Sequence, residues 1–241
     1  FLHRVLSRDE DNFTTLSTWE AFFAPSVLAK RVVLGFCRID RLLGRPLHRL
    51  LRLIERRLTR AMDAIHTLSL SAPEEDFAVL LPALGCFAMI ALFPGADELW
   101  KLSRFDYAVS PAHRARLMAF YRACLQKHLY VLGADRRLLS KNVSFTPWAG
   151  ALREAFPDAR FVSCLRDPQS VVPSQLSSLE PAMRLFGADA RSKAFGIRIV
   201  EMLKFYYRHL QEESRHGEDE AWTMVWTDQI RQDLEGTVGR I

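Results

Sequence analysis

The stretch from Phe156 to Ser178, FPDARFVSCLRDPQSVVPSQLSS, constrains the fold more than any other part of the chain. Arg160 to Leu165 is short, rich in β-branched and aromatic residues, and preceded by the turn signal Phe156-Pro157-Asp158, so it reads as a strand buried on both faces. The strand ends at Arg166. Asp167 can cap the next helix, and Pro168 suits its first position, where a missing N–H costs nothing. A helix that starts directly after a buried strand offers free N–H groups and the positive end of its dipole to an anion. Arg166 adds a two-pronged donor there. Pro173 is expected to bend this helix, which would bring the Ser174 hydroxyl round toward the same anion. On spacing alone, an Arg166 paired with a nearby acid and an ordinary helix serine fit equally well.

A chain of 241 residues with 49% hydrophobic residues is long enough to bury a full core, and its length favours a single domain over 1–241. Cys37, Cys86, Cys124 and Cys164 lie far apart in apolar surroundings and form no CxxC pair, so they read as buried thiols in a reducing, cytoplasmic protein. The seven histidines show no metal-binding spacing, and no metal is expected.

Charge is local. Lys30 to Arg60 holds ten basic residues against Asp40 and Glu55, a net +8 that leaves −3 for the remainder of a chain at +5. Arg38, Arg41, Arg45, Arg49, Arg52, Arg56 and Arg60 recur at spacings of three and four, with Leu43, Leu47, Leu50, Ile54 and Leu58 on another face. Gly44 and Pro46 interrupt the pattern, which predicts two helices. Three readings stay open: a solvated arginine face over packed leucines, a peripheral membrane contact through Arg38 to Arg60, or a nucleic-acid patch. Phe36 is the lone aromatic interleaved there, which argues against base stacking, and no nucleic-acid partner is expected.

Ala72-Pro-Glu-Glu-Asp76 reads as a helix start with acids in its first turn, leading into the apolar run Phe77 to Phe93, a buried helix pair broken by Pro82 and Gly85. Pro111 to Leu132 has a 3.6-residue period, and Gly133 supplies its stop. Arg137 to Ser140 reads as a short strand ending at Lys141, Ala190 to Gln211 as a helix, Glu212 to Glu220 as an exposed loop, and Ala221 to Trp226 as a last buried strand. The three strands are expected in one mainly parallel sheet.

Arg166-Asp-Pro, with Ser174 eight residues on and FPDARFV before it, resembles the 3′-phosphate-binding segment of the sulfotransferases that use 3′-phosphoadenosine 5′-phosphosulfate (PAPS), in particular their bacterial-type branch. The resemblance implies that Arg166 and Ser174 hold the donor's 3′-phosphate. It extends to the PEED-like segment, to a strand ending in lysine, and to FLHRVLSRD, which is similar to the helix that follows the family's phosphate loop. It implies that Lys141 lies near the transferring sulfuryl group. It also implies that the segment Leu16 to Glu20 lines the acceptor pocket. Glu20, beside Trp19 and Phe22, is then the candidate general base, with a pKa raised toward neutrality in an apolar pocket; the blander reading is a surface or capping glutamate.

The expected fold is accordingly α/β, a P-loop-type parallel sheet flanked by helices, with a helical insertion over about 21–132. Its first strand and phosphate loop are expected to be missing from this chain, leaving an inactive fragment. The implied reaction is sulfuryl transfer from PAPS to a hydroxyl of a small molecule, lipid or carbohydrate. A nucleotide kinase-like phosphate-transfer protein and a non-catalytic membrane-surface module are the alternatives.

Overall fold

The computed structural model describes residues 2–23, 25–61, 70, 72–73, 75–133, 135–216 and 221–239. In chain order the first elements are α1 (Leu2–Leu6), β1 (Phe13–Thr14), α2 (Thr18–Phe23), α3 (Val27–Leu42) and α4 (Pro46–Ala61). Two 3₁₀ segments, Asp76–Ala83 and Phe87–Ala91, precede α5 (Asp97–Lys101), α6 (Phe105–Ala108) and α7 (Pro111–Leu132). Then come β2 (Arg137–Leu138), α8 (Ala149–Ala155), β3 (Phe161–Leu165), α9 (Pro168–Leu185), α10 (Lys193–His216), β4 (Trp222–Trp226), α11 (Thr227–Gln232) and α12 (Leu234–Val238). The chain divides into two compact units, residues 1–88 with 115–143, and residues 89–114 with 144–241.

The first unit is mostly helical. Its parallel pair joins β1 to β2, with Phe13 opposite Arg137 and Thr14 opposite Leu138. The strand expected over Arg137 to Ser140 is therefore shorter, and its partner is a two-residue strand that carries no apolar run of its own. Val79, Leu80, Leu117, Tyr121, Cys124 and Leu125 are buried in this unit. A Cβ on Gly133 would lie 2.9 Å from Thr14 Cγ2. Gly133 is thus needed for the close approach of β1 to the end of α7, while its φ stays outside the left-handed region. The apolar run after Asp76 forms 3₁₀ turns where α-helices were expected, because Pro82 removes a donor and the run has no 3.6-residue stripe.

The second unit pairs β3 with β4 in parallel, from Phe161 opposite Trp222 to Leu165 opposite Trp226. The single sheet expected from the sequence is not formed: β2 pairs with β1, and β3 with β4, in two separate sheets. Burial on both faces of β3 was expected as well, yet Phe161 to Ser163 are only half-buried and Cys164 is exposed. With β4 as its one partner among the described residues, β3 lacks the cover that encloses an all-parallel sheet. Cys37 is also exposed, so the buried thiols are Cys86 and Cys124.

Helices carry the core of this unit. Phe105 stacks on Trp148 with ring centroids 3.5 Å apart, and Trp148 Nε1 donates to the Leu102 carbonyl at 3.2 Å. The Asp106 carboxylate accepts from Gly150 N at 2.8 Å and Ala151 N at 3.3 Å, satisfying free donors at the start of α8. Ile199, Met202 and Tyr206 form the buried stripe of α10, which runs to His216, so most of the expected loop from Glu212 is helical. Residues 217–220 of that loop lie outside the described residues.

Candidate active site

Glu20 sits in the first turn of α2, and its carboxylate is the centre of a buried ionic cluster. Oε2 accepts from Ser17 N at 3.1 Å and Ser17 Oγ at 3.0 Å, as a glutamate three residues into a helix does when it reaches back to the helix start. Oε1 accepts from Lys30 Nζ at 2.5 Å and from His128 Nδ1 at 2.7 Å. On its other side His128 Nε2 meets Thr14 Oγ1 at 2.9 Å. Glu20, Lys30 and His128 are 1%, 0% and 0% exposed. With four hydrogen bonds, the acceptor capacity of the carboxylate is filled.

The raised pKa expected of Glu20 is reversed. Burial does push it up, but the hydrogen bonds and charges of His128 and Lys30 outweigh that and bring it down to about 2. The sequence shows Trp19 and Phe22 beside Glu20 but not Lys30 and His128, which come from other helices. Lys30 Nζ also lies 5.8 Å from the centroid of the Trp19 ring. Such a cluster holds because every charge has a partner; removing one partner strands the others without solvent.

A second buried acid is held by a side chain of the same helix α7. Asp76, 2% exposed, accepts from Tyr121 Oη at 2.6 Å and from Asn142 Nδ2 at 3.4 Å. Its partners are neutral donors, so burial dominates and its pKa is raised. Burial and the adjacent Asp76 carboxylate together hold the Tyr121 phenol well above its ordinary value. Tyr121 and His128 are seven residues apart, which is about 10 Å along a helix and nearly the same face. That face of α7 therefore grips Asp76 and, two turns on, Glu20.

Lys141, just past β2, pairs with Glu75 at 2.8 Å, so the strand-end lysine is ion-paired with the residue that precedes Asp76. Acids in a first turn ordinarily face water, which is why PEED reads as a dipole feature in the sequence. In the fold Glu75 and Asp76 turn to Lys141 and Asn142.

In the second unit, β3 ends at Leu165 and α9 starts at Pro168, as expected. Asp167 caps it, its carboxylate accepting from Gln169 N at 2.9 Å. Arg166 is exposed at this turn, and its carbonyl accepts from Tyr207 Oη. Thr227 Oγ1 donates to the Leu165 carbonyl at 2.8 Å, tying the ends of β3 and β4 together. Ser174 is exposed in the second turn of α9, which continues past Pro173 to Leu185. Arg166 and Ser174 thus belong to one unit and Glu20 and Lys141 to the other.

Among the described residues no group of three His, Cys, Asp or Glu could hold a metal ion. No described helix is long and apolar enough to cross a membrane.

Parallel strand pairs flanked by helices, with a capped helix starting directly at a strand end, define an α/β protein. The family model described as "Sulfotransferase family" matches residues 1–241, the whole chain, and the protein belongs to that family. Membership makes it a transferase and supports sulfuryl transfer as its general chemistry. No curated protein and no solved structure matched the chain.

Proposed function

We propose that the protein transfers a sulfuryl group from PAPS to an acceptor hydroxyl. The observation that carries this reading is the turn Arg166-Asp167-Pro168 between β3 and the 18-residue helix α9, in a chain of the sulfotransferase family. An exposed guanidinium at the positive dipole end of a long helix suits a phosphate dianion, and Arg166 with Ser174 is assigned the donor's 3′-phosphate.

In the reaction the acceptor oxygen attacks sulfur, the bond from sulfur to the donor's 5′-phosphate oxygen breaks, and the acceptor's proton passes to a base. Adenosine 3′,5′-bisphosphate leaves. Positioning and charge stabilisation carry most of such a transfer. Lys141 is assigned to the developing charge, its ammonium held by Glu75. Glu20 fits poorly as the base: its acceptor capacity is filled and its pKa is about 2. Its role in this reading is to hold His128 and Lys30 in place. The proton is assigned instead to Asp76, which adjoins the residue that holds Lys141 and whose pKa is raised by burial.

The experiment is a nucleotide titration of the protein at its encoded length by calorimetry. Adenosine 3′,5′-bisphosphate is expected to bind and ATP to bind far more weakly. Preference for ATP would replace sulfuryl transfer by nucleotide kinase-like chemistry.

A further inference from the structure

We infer that the hairpin of α3 and α4 docks on an anionic lipid bilayer. On α4, Leu47, Leu50, Leu51 and Ile54 recur at spacings of three, one and three, which gathers them on one face, and they are 44% to 54% exposed. Arg49, Arg52 and Arg56 fall on the opposite face of the same helix. The packed leucine face open to the sequence reading is therefore not what the fold forms: these leucines face outward. Leu28, Val32, Phe36 and Ile39 on α3, with Leu43 at its C-cap, make a second stripe, 47% to 73% exposed.

These faces are held in place. The far side of α3 carries Lys30, locked on Glu20. At the corner, Gly44 (φ 80°) and Arg45 (φ 65°) make the turn, and Arg45 N donates to the Asp40 carbonyl at 2.7 Å. The Asp40 carboxylate then accepts from Leu47 N at 2.7 Å and His48 N at 3.1 Å, capping α4. The hairpin thus displays two apolar stripes on a braced frame.

Charge decides between the occupants such a surface could take. Residues 30–60 carry a net +8, so a second copy of the hairpin would set +8 against +8. A nucleic acid would meet the arginines but leave the leucines in water, and Phe36 is the one aromatic available to stack on a base. An anionic bilayer meets both needs: acyl chains take the leucines and headgroups take the guanidinium groups, which reach past the helix to the interface. Sixteen residues of α4, with five arginines among them, are too short and too charged to span. The helix lies in the interface plane. This inference is independent of the reaction assigned above, since it needs no nucleotide and no acceptor.

The test is co-sedimentation of the protein with vesicles of phosphatidylcholine alone, or of phosphatidylcholine doped with phosphatidylserine. Binding is expected to the doped vesicles only and to weaken as salt is raised. Leu50→Ser with Ile54→Ser, at exposed positions whose change leaves the circular dichroism spectrum intact, is expected to weaken partitioning about tenfold or more. Arg49→Glu with Arg56→Glu is expected to abolish the preference for phosphatidylserine. Equal binding to both vesicle types, or binding that the serine pair leaves untouched, would overturn the inference. So would a concentration-dependent dimer, seen by sedimentation velocity, that the serine pair dissolves while no vesicle binds. Tight binding of a homopolymeric RNA without vesicle binding would point to the nucleic acid instead.

Discussion

Glu20 and Asp76 are both buried carboxylates held by one face of α7, and their acidities move in opposite directions. Glu20 meets Lys30 and His128, whose charge and hydrogen bonds overcome its burial. Asp76 meets Tyr121 and Asn142, which are neutral, and burial prevails. Burial alone does not set a carboxyl's role; the charge of its partners does. One acid is held as an anion that fastens α2, α3 and α7 together, and the other is pushed by burial toward its protonated form.

The largest expected effect comes from breaking the first cluster. Lys30→Ala leaves Glu20 buried with half its compensation gone and is expected to cost about 3 to 5 kcal/mol of stability, read from urea unfolding. A loss below about 1 kcal/mol would mean that the cluster is solvated in practice.

Acid separates the two carboxyls more sharply. Glu20 has its folded pKa lowered from 4.5 to about 2, so its stabilisation is present above 4.5 and is lost as pH falls toward 2. That difference corresponds to about 3 kcal/mol. The stability profile between pH 5 and pH 2 is expected to flatten in Glu20→Gln. An unchanged slope would remove the ionic account of the cluster.

Asp76 has the opposite sign. Its folded pKa is raised above 3.8, so its favourable contribution is present below 3.8 and is lost as pH rises through the folded value. Asp76→Asn keeps an acceptor for Tyr121 and cannot ionise, so in urea unfolding at neutral pH it is expected to be about as stable as the parent. Sulfuryl transfer, followed as release of adenosine 3′,5′-bisphosphate, is expected to fall by about two orders of magnitude or more. An asparagine variant with full activity would return the base to another group.

The same contrast explains what could be read from the chain beforehand. Helix α7 spans Pro111–Leu132 as its period predicts, because a long stripe of apolar residues needs no distant partner to be recognised. The break at Gly44 and Pro46, and the cap and first proline of α9, were legible for the same reason: each acts on its immediate neighbours. Lys30 was not. It sits among ten basic residues and differs from them only in what α2 and α7 bring to it. The pairing of β1 with β2 joins residues more than one hundred positions apart, and two-residue strands leave no alternation to see. Arg166 and Ser174 were named from a local motif, whereas the partners of Glu20 and Lys141 arise only from tertiary contacts.

The most direct measurement concerns the helix start on which sulfuryl transfer rests. Adenosine 3′,5′-bisphosphate should be titrated into the protein at its encoded length, into Arg166→Ala and into Ser174→Ala, with adenosine 5′-phosphate as the control that lacks the 3′-phosphate. The account predicts that Arg166→Ala weakens the bisphosphate by about 2 to 4 kcal/mol and Ser174→Ala by about 1 kcal/mol, while neither changes the control. Bisphosphate bound as tightly by Arg166→Ala as by the parent protein would contradict it.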